Sequence, residues 1–287
     1  IGMILFTSRP VGDAMATTIW GTSSSWTLTA LPLFVWMGEI LFRTKLSENL
    51  FAGLSPWMQK LPGGLIHVNV VGCALFAAIS GSSAATVATV GKMSIPELRK
   101  RKYPEKILLG SLAGSGTLGL LIPPSIILII YGVTVQESIA KLFIAGIIPG
   151  IMIALIFMSY VIIWSLINKK SMPSNVENFS FLEKIKKSKQ LLPVIILISA
   201  VIGSIYTGVA TATEAASLGV VGALILSYFQ KSLTIETFKQ SLLGATKTSC
   251  MIAFILAGST FLSLAMGFTG LPRNLAIWIQ NMELSPY

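Results

Sequence analysis

Five hydroxyl-bearing residues, Ser82, Ser83, Ser115, Thr117 and Ser125, fall where an apolar stretch running from Gly64 to Tyr131 is twice interrupted by small and helix-ending residues. Hydroxyl and backbone carbonyl oxygens are hard donors that suit an alkali cation. Helices broken inside a membrane turn their freed carbonyls to Na⁺ and their half-helix N-termini to anionic groups. The first interruption is Ile79-Ser80-Gly81-Ser82-Ser83-Ala84-Ala85-Thr86; the second is Gly114-Ser115-Gly116-Thr117-Leu118-Gly119, followed by Ile122-Pro123-Pro124-Ser125. An unsatisfied N–H or C=O in hydrocarbon costs several kcal/mol, so such interruptions persist only where protein buries them or water lines them. Two of them this close together predict a binding cavity. The competing reading is a pair of small-residue packing surfaces, which membrane bundles also favour. Packing alone does not call for Pro-Pro beside Gly-Ser-Gly.

The elements that position these residues follow from length. The arms of the first interruption, Val68–Ala78 and Val87–Val90, are each shorter than the roughly 20 helical residues needed to cross a hydrocarbon core. They predict a re-entrant helical hairpin with Gly81-Ser82-Ser83 at its tip. Lys60 on one side and Lys92, Arg99, Lys100, Arg101, Lys102 and Lys106 on the other place both mouths of the hairpin in the cytoplasm. The second interruption lies between Ile107–Ala113 and Ile126–Tyr131, and Pro124, which has no N–H, predicts a span broken at mid-membrane.

Composition agrees with a membrane setting. Of the 287 residues 53% are hydrophobic and 11% charged, and the mean hydropathy is +0.78, whereas charged residues make up about 25% of a soluble domain. The chain reads as an all-α polytopic membrane protein. Its formal charge of +10 comes from Lys and Arg in short loops between apolar runs, the positive-inside pattern, and nucleic acid is not an expected partner. Cys73 and Cys250 sit in apolar runs without a CxxC or a histidine cluster, so buried free thiols are expected, with neither a disulfide nor a transition-metal site. His67, the single histidine, together with Ser82 or Ser83 raises an intramembrane serine protease as a further alternative. About fifteen residues of helix at 1.5 Å each stand between them. The chain opens on Ile1 without a charged leader and stops at Tyr287 soon after an apolar run, which reads as a fragment of a longer chain.

Further spans are expected at Ser24–Phe42, Leu142–Ile167, Leu191–Ile205, Val209–Tyr228 and Thr248–Met266, with an amphipathic helix over Leu46–Met58. Arg43, Lys45 and Lys60 mark the loop after the first of these spans as cytoplasmic, and Lys169 to Lys189 form a second basic loop. The polar stretch Ser171–Ser180, with Pro173 and Asn175, is the expected flexible connection. Thr211, Thr213 and Glu214 open an apolar span. An intramembrane carboxylate is a coupling candidate, but this one lies near a helix N-terminus that stabilises an acid for structural reasons. Ser24, Leu31, Thr44, Leu46, Asn49 and Leu50 recur as Ser249, Leu256, Thr269, Leu271, Asn274 and Leu275, each 225 positions on. With opposite expected orientations, this predicts an inverted repeat whose second hairpin falls beyond Tyr287. The expected division is 1–60 as a scaffold crossing and interfacial arm, 61–132 as the part carrying the hairpin and broken helix, 133–190 as a crossing and cytoplasmic connection, and 191–287 as the start of the second repeat.

The segments Leu31-Pro32-Leu33-Phe34-Val35-Trp36-Met37-Gly38-Glu39, Leu61-Pro62-Gly63-Gly64-Leu65, Ala77 to Thr86, Gly110 to Ser125 and Ala210 to Ala216 closely resemble the large membrane subunit of tripartite ATP-independent periplasmic (TRAP) transporters, the DctM/SiaM-like family. The resemblance runs over essentially the whole chain. It implies an ion-transporter-superfamily-like fold and Na⁺-coupled, elevator-type uptake of organic acids such as C4-dicarboxylates or sialic acid, with no other cofactor. A small membrane subunit and a periplasmic substrate-binding protein are the implied partners, in the bacterial inner membrane. On that pattern Ser82, Ser83 and Ala84 with Gly114, Ser115, Gly116 and Thr117 frame one Na⁺ site, while Pro123, Pro124 and Ser125 shape the cavity. A sodium/carboxylate symporter of the same superfamily that needs no binding protein is the alternative.

Overall fold

The computed structural model describes residues 2–8, 10–43, 46–173, 179–189 and 191–282. Every regular element among them is helical. In chain order these are α1 (Gly2–Phe6), α2 (Val11–Ser23), α3 (Ala30–Phe42), α4 (Leu46–Met58), α5 (Ile66–Ser80), α6 (Ser83–Lys100), α7 (Glu105–Gly116), α8 (Ile126–Val135), α9 (Ile139–Ile167), α10 (Phe181–Ser188), α11 (Leu192–Tyr206), α12 (Ala212–Phe229), α13 (Ile235–Phe268) and α14 (Leu271–Gln280). Short 3₁₀ turns lie at Trp26–Thr29, Thr117–Leu120 and Lys169–Ser171.

Three of the described helices, α9, α12 and α13, are long and apolar enough to cross a membrane, and up to five spans result if bent helix pairs count as one each. Their outer faces support that setting. On α9, Ile148 is 78% exposed and Ile167 77% exposed, a density of open aliphatic surface that water would penalise and lipid would not.

The chain divides into two compact units, residues 29–246 and residues 1–28 with 247–287. The larger is built around α5. Ile66, Val68, Val70, Cys73, Phe76, Ala77 and Ile79 are all buried, the polar His67 and Asn69 are buried with them, and only the stripe Val71, Ala74 and Leu75 is half-open, as expected of a helix packed on most of its sides. It packs against α3, α4, α6, α7 and α9. Val70 and Ala77 join Leu118 in a core against which Ile153, Phe157 and Met158 pack. Near the other end of α5, Ile66 meets Ile107 and Val161.

α5 and α6 form the helical hairpin expected from the short arms, with Gly81-Ser82 as its turn. α6 runs beyond Val87–Val90, through Pro96 to Lys100. The second interruption is narrower than the sequence suggested. Gly114, Ser115 and Gly116 remain helical in α7, and the break is confined to the 3₁₀ turn Thr117–Leu120 and residues 121–125, with a cis Pro123–Pro124 peptide. The physical reason is close packing. A Cβ on Gly114 would come within 3.1 Å of the Phe157 ring, so that glycine accommodates a neighbour and leaves the helix intact.

Elsewhere, α4 spans the residues expected, and α13 starts at Ile235 and not at Thr248. Cys73 is buried, but Cys250 is exposed, because an apolar run in a spanning helix presents a lipid face as well as a packed one. Thr44, Lys45 and the 174–178 part of the expected connection lie outside the described residues. In the smaller unit, Thr22 Oγ1 donates to Thr260 Oγ1 at 3.3 Å. There Gly270, at φ 69°, makes the turn into α14.

Candidate functional site

The hairpin turn is made by local chemistry. Gly81 ends α5 in the left-handed conformation (φ 58°), and its N–H returns to Ala77 O, a conformation that disfavours any residue with a Cβ. Ser82 then opens α6 in an extended conformation, and its Oγ accepts from Ala85 N at 3.4 Å. Two further hydroxyls brace the turn. Ser80 Oγ lies 3.0 Å from Thr86 Oγ1, and Thr86 Oγ1 donates to Ser82 O at 2.8 Å. Ser80 and Thr86 are the tip residues that reasoning about ligands passed over. Their signal was the i, i+4 spacing of Ser82 and Thr86 across a helix start.

The two interruptions meet. Ile126 N donates to Gly81 O at 3.4 Å, and a Cβ on Gly81 would come within 2.9 Å of Pro124 O. Gly119 lies against the tip backbone, where a Cβ would sit 3.1 Å from Ser83 N and 3.2 Å from Ser82 C. On one side Gly38 of α3 closes the tip, with a would-be Cβ 2.9 Å from Ser80 Cα. Across the break, Gly146 and Gly150 of α9 leave room for Leu121 and Ile122. Four helix ends therefore converge: the C-termini of α5 and of the α7 stretch, and the N-termini of α6 and α8. C-terminal ends present carbonyls without intrahelical partners and N-terminal ends present unpaired N–H groups.

At this junction Ser83 Oγ is buried without a hydrogen-bond partner. A buried hydroxyl left unpaired costs about 1–3 kcal/mol, which makes it the strongest ligand candidate at the tip. Ala84 beside it is exposed and offers only backbone. The other expected hydroxyls are engaged. Ser125, fully buried, donates to Leu120 O at 2.7 Å and closes the break turn. Thr117, exposed, donates to Gly114 O at 2.7 Å. Ser115, fully buried, donates to Ser111 O at 2.6 Å and faces α5, with Asn69 O at 3.4 Å. The structure thus gathers Ser82, Ser83, Pro124 and Gly119 and turns Ser115 into the α5–α7 interface. Pro123 and Pro124 are both buried. Gly116 packs against Val87.

Thr211, Thr213 and Glu214 lie at the start of α12. Glu214 Oε2 accepts from Thr211 N and from Thr211 Oγ1, both at 2.8 Å, and Glu214 N donates back to Thr211 Oγ1 at 3.3 Å. This is a reciprocal capping box that accounts for both side chains. Thr213 takes no part in it, and its carbonyl accepts from Ser217 Oγ at 3.0 Å. His67 sits in the first turn of α5, with Nε2 2.8 Å from Pro62 O. The serines lie past the opposite end of that helix, about 20 Å away at 1.5 Å per residue, and the protease geometry is not formed. Among the described residues, no three His, Cys, Asp or Glu side chains gather as a metal group.

The family described as "Tripartite ATP-independent periplasmic transporter, DctM component" matches residues 1–287. The chain is 32% identical over 286 residues to the C4-dicarboxylate TRAP transporter large permease protein DctM of Pseudomonas aeruginosa, covering 99% of this chain and 66% of that protein. It is 32% identical over 269 residues to the sialic acid TRAP transporter large permease protein SiaM of Vibrio cholerae, with 93% and 62% covered. With the ectoine/5-hydroxyectoine TRAP transporter large permease protein UehC of Ruegeria pomeroyi it shares 32% over 266 residues, with 90% and 60% covered. The chain spans less than two thirds of the length of each of these relatives.

Proposed function

Because the chain belongs to the DctM-component family of tripartite ATP-independent periplasmic transporters, we propose that it forms part of a permease for Na⁺-coupled uptake of organic acid anions, of the C4-dicarboxylate or sialic acid class, across the bacterial inner membrane. In this reading a periplasmic binding protein delivers the substrate and a small membrane subunit completes the permease. Residues 61–132 move as the transport part against a scaffold that includes residues 1–60. The hairpin is re-entrant, both mouths facing the cytoplasm.

The observation that carries the proposal is the junction at Gly119, where two broken elements abut and Ser83 Oγ is buried without a partner. Ser83 Oγ, Ser82 and the carbonyls ending α5 and the 3₁₀ turn supply oxygens for Na⁺. No Lys or Arg occurs between Ile107 and Val135. A carboxylate is therefore met by hydroxyls, by the N-termini of α6 and α8 and by the bound cation. Relatives named for C4-dicarboxylates, sialic acid and isethionate concern organic acid anions, carboxylates and a sulfonate alike, and that class is the substrate class proposed here. An inverted repeat accompanies the reading. α4 opens at Leu46 and α14 at Leu271, the same 225-residue spacing found between the recurring residues.

The test is uptake of a labelled organic acid panel by the full-length permease, reconstituted with its small subunit and binding protein, with and without a Na⁺ gradient. Na⁺-dependent uptake that requires the binding protein is the expected result. Uptake indifferent to Na⁺ would reject the coupling. Uptake that persists without the binding protein would favour a symporter acting on free solute.

A further inference from the structure

Away from the hairpin tip, a cavity of about 650 Å³ opens between the turn that follows α4 and the last turn of α9. That is within the usual range for small-molecule pockets, about 300–1,000 Å³. Its walls combine two chemistries. Lys60 and Lys169 are cationic and exposed, whereas Leu61, Leu166 and Met172 give it an apolar side. Its described lining includes no acid.

Gln59 also lines the cavity. It is 6% exposed, and its Oε1 is buried without a hydrogen-bond partner. A buried amide oxygen without a donor is unfavourable, and a ligand hydroxyl would relieve it. The turn that carries these groups is fixed from beneath. His67 Nε2 lies 2.8 Å from Pro62 O, and Gly63, at φ 102°, leaves no room for a Cβ beside Val161 and Ser165.

The surroundings belong to a membrane surface. Leu166 sits in the last turn of spanning α9, and Lys169 and Lys170 lie just past its cap residue Asn168. Close by in the same unit, α10 lies on α4, with Trp57 Nε1 donating to Ser188 Oγ at 2.7 Å. α10 carries Lys184, Lys186 and Lys187 beside the exposed Phe181 and Leu182, the composition of a helix lying in the headgroup layer.

We propose that this cavity is a headgroup site for an anionic glycerophospholipid with a hydroxylated head. Lys60 and Lys169 meet the phosphate, Gln59 Oε1 accepts from a head hydroxyl, and Leu61, Leu166 and Met172 pack against the glycerol and the first acyl carbons. Charge selects an anionic lipid over a zwitterionic one, because each basic side chain near a membrane surface favours an anionic head. The apolar wall selects a lipid over free phosphate, which has nothing to place there.

The test is native mass spectrometry of the full-length permease in detergent, counting retained phosphatidylglycerol and phosphatidylcholine. The Lys60→Gln/Lys169→Gln variant should retain phosphatidylglycerol about tenfold less, with phosphatidylcholine unchanged. Leu166→Trp, which fills the cavity and keeps both charges, should lose phosphatidylglycerol as well. Lys106→Gln, away from the cavity, should retain it. Unchanged phosphatidylglycerol in both cavity variants overturns the proposal. So does an equal loss in Lys106→Gln, which would reduce the effect to bulk charge. Displacement of phosphatidylglycerol by millimolar inorganic phosphate also overturns it, since the apolar wall would then contribute nothing.

Discussion

Ser83 carries its hydroxyl into a junction of helix ends and finds no partner there, and that makes packing and ligation separable by experiment. Removing an unsatisfied buried hydroxyl does not reduce stability, and relief of about 1 kcal/mol or more is expected. Losing one cation ligand weakens Na⁺ binding. Ser83→Ala should therefore leave unfolding in mixed micelles unchanged or slightly harder, while the Na⁺ concentration for half-maximal uptake rises about tenfold. If the tip were packing alone, Na⁺ dependence would not move. Gly119→Ala probes the same place from the facing side. Its Cβ would meet backbone atoms of Ser82 and Ser83 at 3.1–3.2 Å, and backbone, unlike a flexible side-chain end, has no rotamer into which to retreat. Initial uptake should fall by about tenfold or more, whereas Gly110→Ala, whose added Cβ meets nothing within 4 Å, should match the parent. The sequence placed Ser82 and Ser83 at the tip because Gly-Ser-Ser between apolar arms has few other uses. It did not separate them from Ser115, Thr117 and Ser125. Each of those three hydroxyls bonds a carbonyl three to five residues back, and a back-bonding serine has the same letter as a ligating one.

Single elements were legible to the extent that their periodicity or caps were local. α9, α11 and α12 fall within a few residues of expectation because apolar runs bounded by charge or Gly and Pro define them, and α4 does because its polar and apolar residues alternate at helical spacing. The α7 break was drawn too early, since Gly114 answers to Phe157 on α9, a contact that no local pattern reveals. Thr211 and Glu214 show the opposite case. The Thr-x-x-Glu spacing is itself a capping signature, and the structure forms both halves of the box. Glu214→Ala and Thr211→Ala should therefore lower the thermal unfolding midpoint and leave the Na⁺ dependence of uptake in place. A shifted Na⁺ dependence in Glu214→Ala, with unfolding unchanged, would return this carboxylate to coupling. Between α5 and α7 the joining group is Asn69, whose Nδ2 donates to Ser111 Oγ at 3.0 Å and to Leu108 O at 3.2 Å. Interhelical hydrogen bonds in membranes contribute about 0.6 kcal/mol each, and truncation adds a small cavity. Asn69→Ala should destabilise the protein by about 1–2 kcal/mol in reversible unfolding.

At the scale of the whole molecule, the claim with the widest consequence is that the hairpin enters and leaves on one side of the membrane. α5 has 15 residues and α6 has 18, which at about 1.5 Å per residue gives lengths near 22 and 27 Å against a hydrocarbon core of about 30 Å. Length alone leaves α6 close to a crossing. The deciding feature is its sequence. Beyond Val90 it reads Gly-Lys-Met-Ser-Ile-Pro-Glu-Leu-Arg-Lys, and the positive-inside pattern of Lys92, Arg99 and Lys100 in this second half is the ground on which we propose that it lies in the headgroup region and the cytoplasm. The apolar part of each arm is then too short to reach the far side, and Ser83 at the tip stops inside the protein. This arrangement predicts a labelling pattern. In a full-length permease with Cys73→Ser and Cys250→Ser, Lys60→Cys and Lys100→Cys should both react with an impermeant maleimide in inside-out vesicles and resist it in right-side-out ones. The two positions flank the hairpin, so a continuous crossing would label them from opposite sides. In that case the tip at Gly81 would no longer be held at mid-depth, and Ser83 would lose its claim to a buried cation.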